Sequence, residues 1–262
     1  MCGVYLHRGR IILTVTFVAI AIWPLIFGET IFVAIGIDKE VSRLTQLQMR
    51  VQMPGVFFYG HFDLLKRWLA SMRITFFPMV ATIVAAVFYI LLCFLFVVYF
   101  DMGIIGLAVA MSIKDCALLF MTLIYCYCSE PVRKVLVPLD SEAFWGWSEY
   151  LKISIPATFM ICSARWAGHV ISFMAGMLGV VELASITVVF SFRVGLFTFA
   201  QGIEEGTCAL IGNCIGANNV PLAKRFYSLI GMLAMGLIVP LSLITFFARE
   251  QLAALFTNEE DV

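Results

Sequence analysis

The sequence predicts an all-α integral membrane protein of about seven transmembrane helices, and three observations predict it. The first is composition: the 262 residues are 62% hydrophobic and 13% charged, with a mean hydropathy of +1.00, whereas a soluble domain carries about 25% charged residues. The second is the recurrence of apolar runs near the length of about 20 residues that crosses a bilayer. The third is an uneven distribution of Lys and Arg between alternate ends of those runs. Seventeen basic residues balance seventeen acidic ones. No basic stretch is long enough to follow a phosphate backbone, so nucleic acid is not an expected partner.

The helices are expected near residues 11–36, 50–70, 74–100, 102–128, 150–178, 181–212 and 222–248. The first runs from Ile11 through Gly28 and on to Ile37 without a small-residue cleavage site, so it is expected to be retained as a span and not removed as a signal peptide. The second is the most polar, with Gln52, His61 and Asp63 around Pro54-Gly55, and is expected to be shielded from lipid by its neighbours. The third and fourth are apolar, except that the fourth carries Lys114-Asp115. A longer connection, 129–149, precedes the fifth, which contains Arg165 and His169. The sixth contains Arg193 and the adjacent pair Glu204-Glu205, then ends in Gly212-Asn-Cys-Ile-Gly-Ala-Asn-Asn219, a composition suited to close packing and a turn. Lys224-Arg225 open the seventh. Pro24, Pro54, Pro78, Pro156 and Pro240 lie in or near spans, where a missing hydrogen bond allows kinks that can serve as hinges.

Orientation follows from the basic residues. Arg8, Arg10, Lys66, Arg67, Arg73, Arg133, Lys134, Lys152, Lys224 and Arg225 fall on one side; Lys39, Arg43, Arg50 and Arg249 fall on the other. That bias of ten to four places the N-terminus in the cytoplasm and opposes a seven-helix receptor, whose N-terminus is outside. A faint echo joins Glu29–Val41 to Glu250–Val262, as a parallel duplication about an axis along the membrane normal would produce.

No soluble catalytic constellation and no P-loop is present, so neither enzymatic activity nor direct ATP drive is expected. His7, His61 and His169 are scattered, and Cys126-Tyr-Cys128 lacks the spacing of a zinc pair, so no cofactor or metal is expected. The eight cysteines fall within or beside apolar runs, as buried free thiols do.

Three blocks carry a family resemblance: Trp147-Ser-Glu-Tyr-Leu-Lys-Ile-Ser-Ile-Pro156, Ala175-Gly-Met-Leu-Gly179-Val-Val-Glu182, and Gly202 through Gly212-Asn-Cys-Ile-Gly216-Ala-Asn218 to Lys224-Arg225. In sequence and spacing they resemble eukaryotic multidrug and toxic compound extrusion (MATE) transporters. Gly3-Val-Tyr-Leu-His-Arg8, Leu65-Lys-Arg-Trp-Leu-Ala-Ser71 and Gly103-Ile-Ile-Gly106-Leu-Ala-Val-Ala110 extend the resemblance upstream. It implies a partial two-lobe bundle of the MOP type covering family helices three to nine. Residues 1–128 would form a partial N-terminal lobe of four helices, 129–149 a cytoplasmic connector, and 150–262 a partial C-terminal lobe of three. It also implies a secondary active antiporter that exports organic cations or other xenobiotics in exchange for protons or sodium, in the plasma membrane or an internal vacuolar or vesicular membrane. The alternative is a truncated, non-transporting membrane remnant or scaffold.

The chain departs from the family at one place. The branch usually carries an acidic residue in its helix seven, in a Glu-Trp-Trp context, and a second glutamate five residues later; the matching positions are Ala164, followed by Arg165-Trp166, and His169. Either the coupling site has moved or proton coupling is lost. Glu204 and Glu205 are the carboxylates expected to take over, because a carboxyl removed from water favours its neutral form and can load and release a proton. Asp115 and His169 are further coupling candidates, and Arg165, Arg193 and Lys114 are expected to set the charge of the cavity. Arg165 and His169, four apart, share one helix face. Arg165 is expected either to pair with Glu204 or Glu205 or to mark an anionic or zwitterionic substrate.

Overall fold

A computed structural model describes residues 2–36, 38–135 and 144–248, and among them it contains helices and no strand. Eight α-helices follow in chain order: α1 (Cys2–Ala34), α2 (Lys39–Ser71), α3 (Phe76–Cys93), α4 (Gly103–Cys128), the single turn α5 (Glu130–Arg133), α6 (Trp147–Leu178), α7 (Val180–Gly216) and α8 (Val220–Phe247). A π-helical turn, Phe94–Tyr99, continues α3. The chain divides into two compact units, Met1–Trp147 and Ser148–Val262.

Among the described residues, five helical stretches are long and apolar enough to cross a membrane: Gly3–Ala34, Phe76–Tyr99, Gly103–Cys128, Ser185–Gly216 and Val220–Phe247. The helices α2 and α6 are as long, at 33 and 32 residues, and α2 is the more polar of the two.

In the first unit α2 packs against both α1 and α4, and α3 against α4. Some polar groups of α2 turn toward these neighbours. Gln46 Nε2 donates to the carbonyls of Leu25 and Ile26 on α1, at 3.1 and 3.3 Å, and Arg50 Nε donates to that of Leu25 at 3.1 Å. Ser112 Oγ of α4 donates to the Val51 carbonyl at 2.9 Å. Close approach at this crossing depends on Gly55, where a Cβ would come within 2.7 Å of Ser112 Cα. Small residues take the place of large ones wherever membrane helices touch: Ala81, Ala85, Ala108 and Ala110 are all buried. Two apolar clusters complete the unit. Leu6, Leu65, Trp68, Leu69, Cys126 and Val132 form one, and Phe62, Ala81, Ala85, Leu118 and Leu119 the other.

In the second unit α7 packs against α8. Most of their large apolar side chains are exposed, Phe197, Phe199, Leu233 and Leu243 among them. Such a surface belongs in hydrocarbon or against further protein. The glycine-asparagine stretch forms the turn between the two helices: α7 stops at Gly216, Asn218 adopts a positive φ of 55°, and the Asn219 side chain caps α8 by accepting from Leu222 N at 3.2 Å. At the other inter-helix turn of note, Asp38 caps α2 by accepting from Glu40 N at 2.8 Å. The echo between Glu29–Val41 and Glu250–Val262 has its second half outside the described residues, as does Arg249.

Candidate functional site: a basic cavity between α6 and α7

An open cavity of about 620 Å³ lies between α6 and α7, within the range of small-molecule sites. Its α6 wall is Arg165, Gly168, His169 and Ser172, which follow the i, i+3, i+4, i+7 pattern of one helix face. Its α7 wall repeats that pattern with Thr187, Phe190, Ser191 and Val194, joined by Arg193. Position 168 has no side chain, and two side chains of α7 reach over it. A Cβ there would lie 3.2 Å from Arg193 Nη2 and 3.6 Å from Phe190 Cζ. The Arg193 guanidinium lies 5.1 Å from the centroid of the Phe190 ring, within cation–π range. Ser191 Oγ donates to the Thr187 carbonyl at 2.9 Å, so its lone pairs remain available as acceptors.

The charge of this cavity is one-sided. Two guanidiniums and an imidazole line it, and no carboxylate does among the described residues. Glu204 and Glu205 sit on α7 beyond it, eleven and twelve residues past Arg193, which is about 16–18 Å along the axis. Glu204 is exposed. Neither Arg165 nor Glu204 forms an ion pair among the described residues. The structure therefore brings together Arg165, His169 and Arg193, and leaves the two glutamates outside the cavity they were expected to neutralise.

Lys114 and Asp115 belong to the first unit. Lys114 Nζ lies 2.7 Å from Asp115 Oδ1, with side-chain exposures of 18% and 3%. The ammonium also sits 5.8 Å from the Tyr59 ring of α2 and 5.7 Å from the Tyr89 ring of α3. This is a charge pair shut inside three helices. It can lend rigidity, and Asp115 can take a proton only if water reaches it.

Sequence reasoning found the charged members of the cavity but missed Gly168, Ser172, Thr187, Phe190 and Ser191. Their signal was the matched i, i+3, i+4, i+7 spacing on two successive helices. It also treated Arg10 as a flanking charge only. Arg10 Nε is buried without a hydrogen-bond partner, its carbonyl accepts from Thr14 Oγ1 at 2.8 Å, and Thr14 Oγ1 is 3.3 Å from His61 Nε2. A polar thread therefore runs from α1 to α2. Among the described residues, no three His, Cys, Asp or Glu side chains converge as metal ligands would.

Long apolar helices and an open, charged, ligand-sized cavity between α6 and α7 define a multi-pass membrane protein. Residues 1–95 and 156–262 match the family model MatE, and the chain belongs to that family. It is 26% identical to multidrug and toxin extrusion protein 1 of Oryctolagus cuniculus, over 99% of this chain and 46% of that protein. It is 30% identical to the uncharacterized transporter C4B3.13 of Schizosaccharomyces pombe, over 100% of this chain and 49% of that protein. The crystal structure of the eukaryotic MATE transporter AtDTX14 superposes with a TM-score of 0.90 at 22% identity, covering 100% of this chain and 58% of the other. The chain thus spans about half the length of the curated relatives it matches.

Proposed function

We propose that this chain works as a secondary active antiporter, or as the part of one that holds its ligand cavity, moving an organic cation or other xenobiotic out of the cytoplasm in exchange for protons or sodium. The observation that carries this reading is a ligand-sized, charged cavity between apolar helices in a MatE-family chain. Fixed charge within a span is costly, about 2.5–3.5 kcal/mol per residue on insertion scales, and marks a substrate or ion path where it persists. Glu204 and Glu205 are the proposed proton carriers, with Asp115 and His169 as further candidates. The proposed setting is the plasma membrane or a vacuolar or vesicular membrane, with the N-terminus in the cytoplasm.

The test is solute flux in liposomes containing the full chain, measured with imposed proton and sodium gradients across a panel of organic cations and other xenobiotics. Gradient-driven flux is expected, and the double variant Glu204→Gln, Glu205→Gln is expected to lose its dependence on the proton gradient. Absence of gradient-driven flux from a correctly inserted chain would overturn the reading in favour of a membrane scaffold that does not transport.

A further inference from the structure

We infer that the cavity between α6 and α7 binds a small organic anion, with its carboxylate or phosphate oxygens held between Arg165 and Arg193 and its apolar body against Phe190. This names the substrate class of the site proposed above, and it rests on the transport reading only for the claim that the bound molecule is carried.

Three observations lead to it. The first is convergence. Arg193 Nη2 lies 3.2 Å from where a Gly168 Cβ would stand, and Gly168 is one helical turn from Arg165. The two guanidinium groups therefore reach one space from two helices. Planar forks in that arrangement suit the paired oxygens of a carboxylate or phosphate. The second is the missing counter-charge. Lys114, a cation inside the first unit, has Asp115 at 2.7 Å, but no carboxylate lines the α6–α7 cavity among the described residues. A bound anion would supply the neutralising charge. A bound cation would add a third or fourth like charge beside the two guanidiniums. The third is the remaining lining. Ser172, Thr187 and Ser191 place hydroxyls around the basic groups, and Phe190 and Val194 offer an apolar wall. A free headgroup-like ion needs no such wall, whereas an aromatic or aliphatic acid does.

The experiment is equilibrium binding to the full chain in phosphatidylcholine nanodiscs, followed by calorimetry. The probes are phthalate, its neutral dimethyl ester and tetraethylammonium. Saturable binding of phthalate but not of the ester is expected, without competition from tetraethylammonium. Arg165→Gln and Arg193→Gln should each weaken phthalate by about tenfold or more, as the loss of a charge-assisted contact does. Arg165→Lys should retain part of the affinity, and Gly168→Leu should block the cavity. Thermal unfolding of each variant separates loss of a contact from loss of the fold. The inference is overturned if the ester binds as well as phthalate, or if the glutamine variants bind like the parent. It is also overturned if phthalate fails to bind while phosphatidic acid added to the nanodisc does, which would make this a lipid headgroup site. Liposome flux distinguishes the two proposals. Phthalate binding without flux of any solute supports the anion site and removes the transport reading; gradient-driven cation flux without phthalate binding does the reverse.

Discussion

Single residues decide how charge is tolerated in this membrane chain, and Asp115 is the sharpest case. Its side chain is 3% exposed and its partner Lys114 is 18% exposed, so removing one member leaves the other charged in poor solvent. Breaking a buried pair in this way costs about 3–5 kcal/mol, while replacing both members with apolar residues of similar volume is often neutral. Asp115→Leu is therefore expected to lower the unfolding midpoint of the detergent-solubilised protein markedly, and Lys114→Met combined with Asp115→Leu to recover most of the loss. A double variant as unstable as the single one would mean that the pair does not act as a unit. The charged residues were legible in the sequence because charge is rare among 62% hydrophobic residues. Arg165 and His169 could be assigned to one face from their spacing alone. The hydroxyl groups beside them could not. Ser and Thr in membrane helices commonly bond the carbonyl one turn back, as Thr158 does to Ser154 at 2.8 Å and Thr198 to Val194 at 2.8 Å, so their presence says little about a ligand. What identifies Ser172, Thr187 and Ser191 is the face they share, which becomes visible once α6 and α7 are placed together.

At the scale of the helix, hydropathy located every long element but underestimated several of them. Apolar counting gave 11–36 and 50–70 where α1 runs from Cys2 to Ala34 and α2 from Lys39 to Ser71. A run of apolar residues measures the hydrocarbon thickness of about 30 Å, while a helix of 33 residues reaches about 50 Å. The surplus turns are polar and continue beyond the bilayer core. The end of α7 was better marked, because Gly212–Asn219 concentrates residues that stop helices and start them. Asn219→Ala removes the cap of α8 and is expected to cost about 1 kcal/mol, whereas Asn218→Gly relieves a positive φ and is expected to raise the unfolding midpoint. If both substitutions destabilise equally, the Asn218 side chain has a role beyond the turn. Gly55→Val pushes a side chain into Ser112 at the α2–α4 crossing and is expected to cost about 1–3 kcal/mol by overpacking, read by the same unfolding assay. The prolines divide into two kinds. Pro24, Pro54, Pro156 and Pro240 lie inside helices, where they remove a hydrogen bond. Pro78 is the third residue of α3, in the first turn, where no intrahelical partner is lost.

For the molecule as a whole, the first unit carries the signal for which of its ends faces the cytoplasm. Leu6 of α1, Leu65, Trp68 and Leu69 of α2, Cys126 of α4 and Val132 of α5 share one apolar cluster. The start of α1, the end of α2 and the end of α4 therefore lie at one end of that unit. This end carries Arg8, Arg10, Lys66, Arg67, Arg73, Arg133 and Lys134. At the opposite end, where Gln46 and Arg50 bond the Leu25 carbonyl, the basic residues are Lys39, Arg43 and Arg50. Seven cations against three favour the first end as cytoplasmic, because short basic flanks resist translocation. The bias matters to function, since it sets the direction in which an antiporter would load its cargo. In a background with the native cysteines replaced, Lys39→Cys is expected to react with a membrane-impermeant thiol reagent on intact cells. Lys134→Cys, which lies beside α5 and is exposed, should react only after permeabilisation. The opposite labelling pattern would invert the first unit and place its basic end outside.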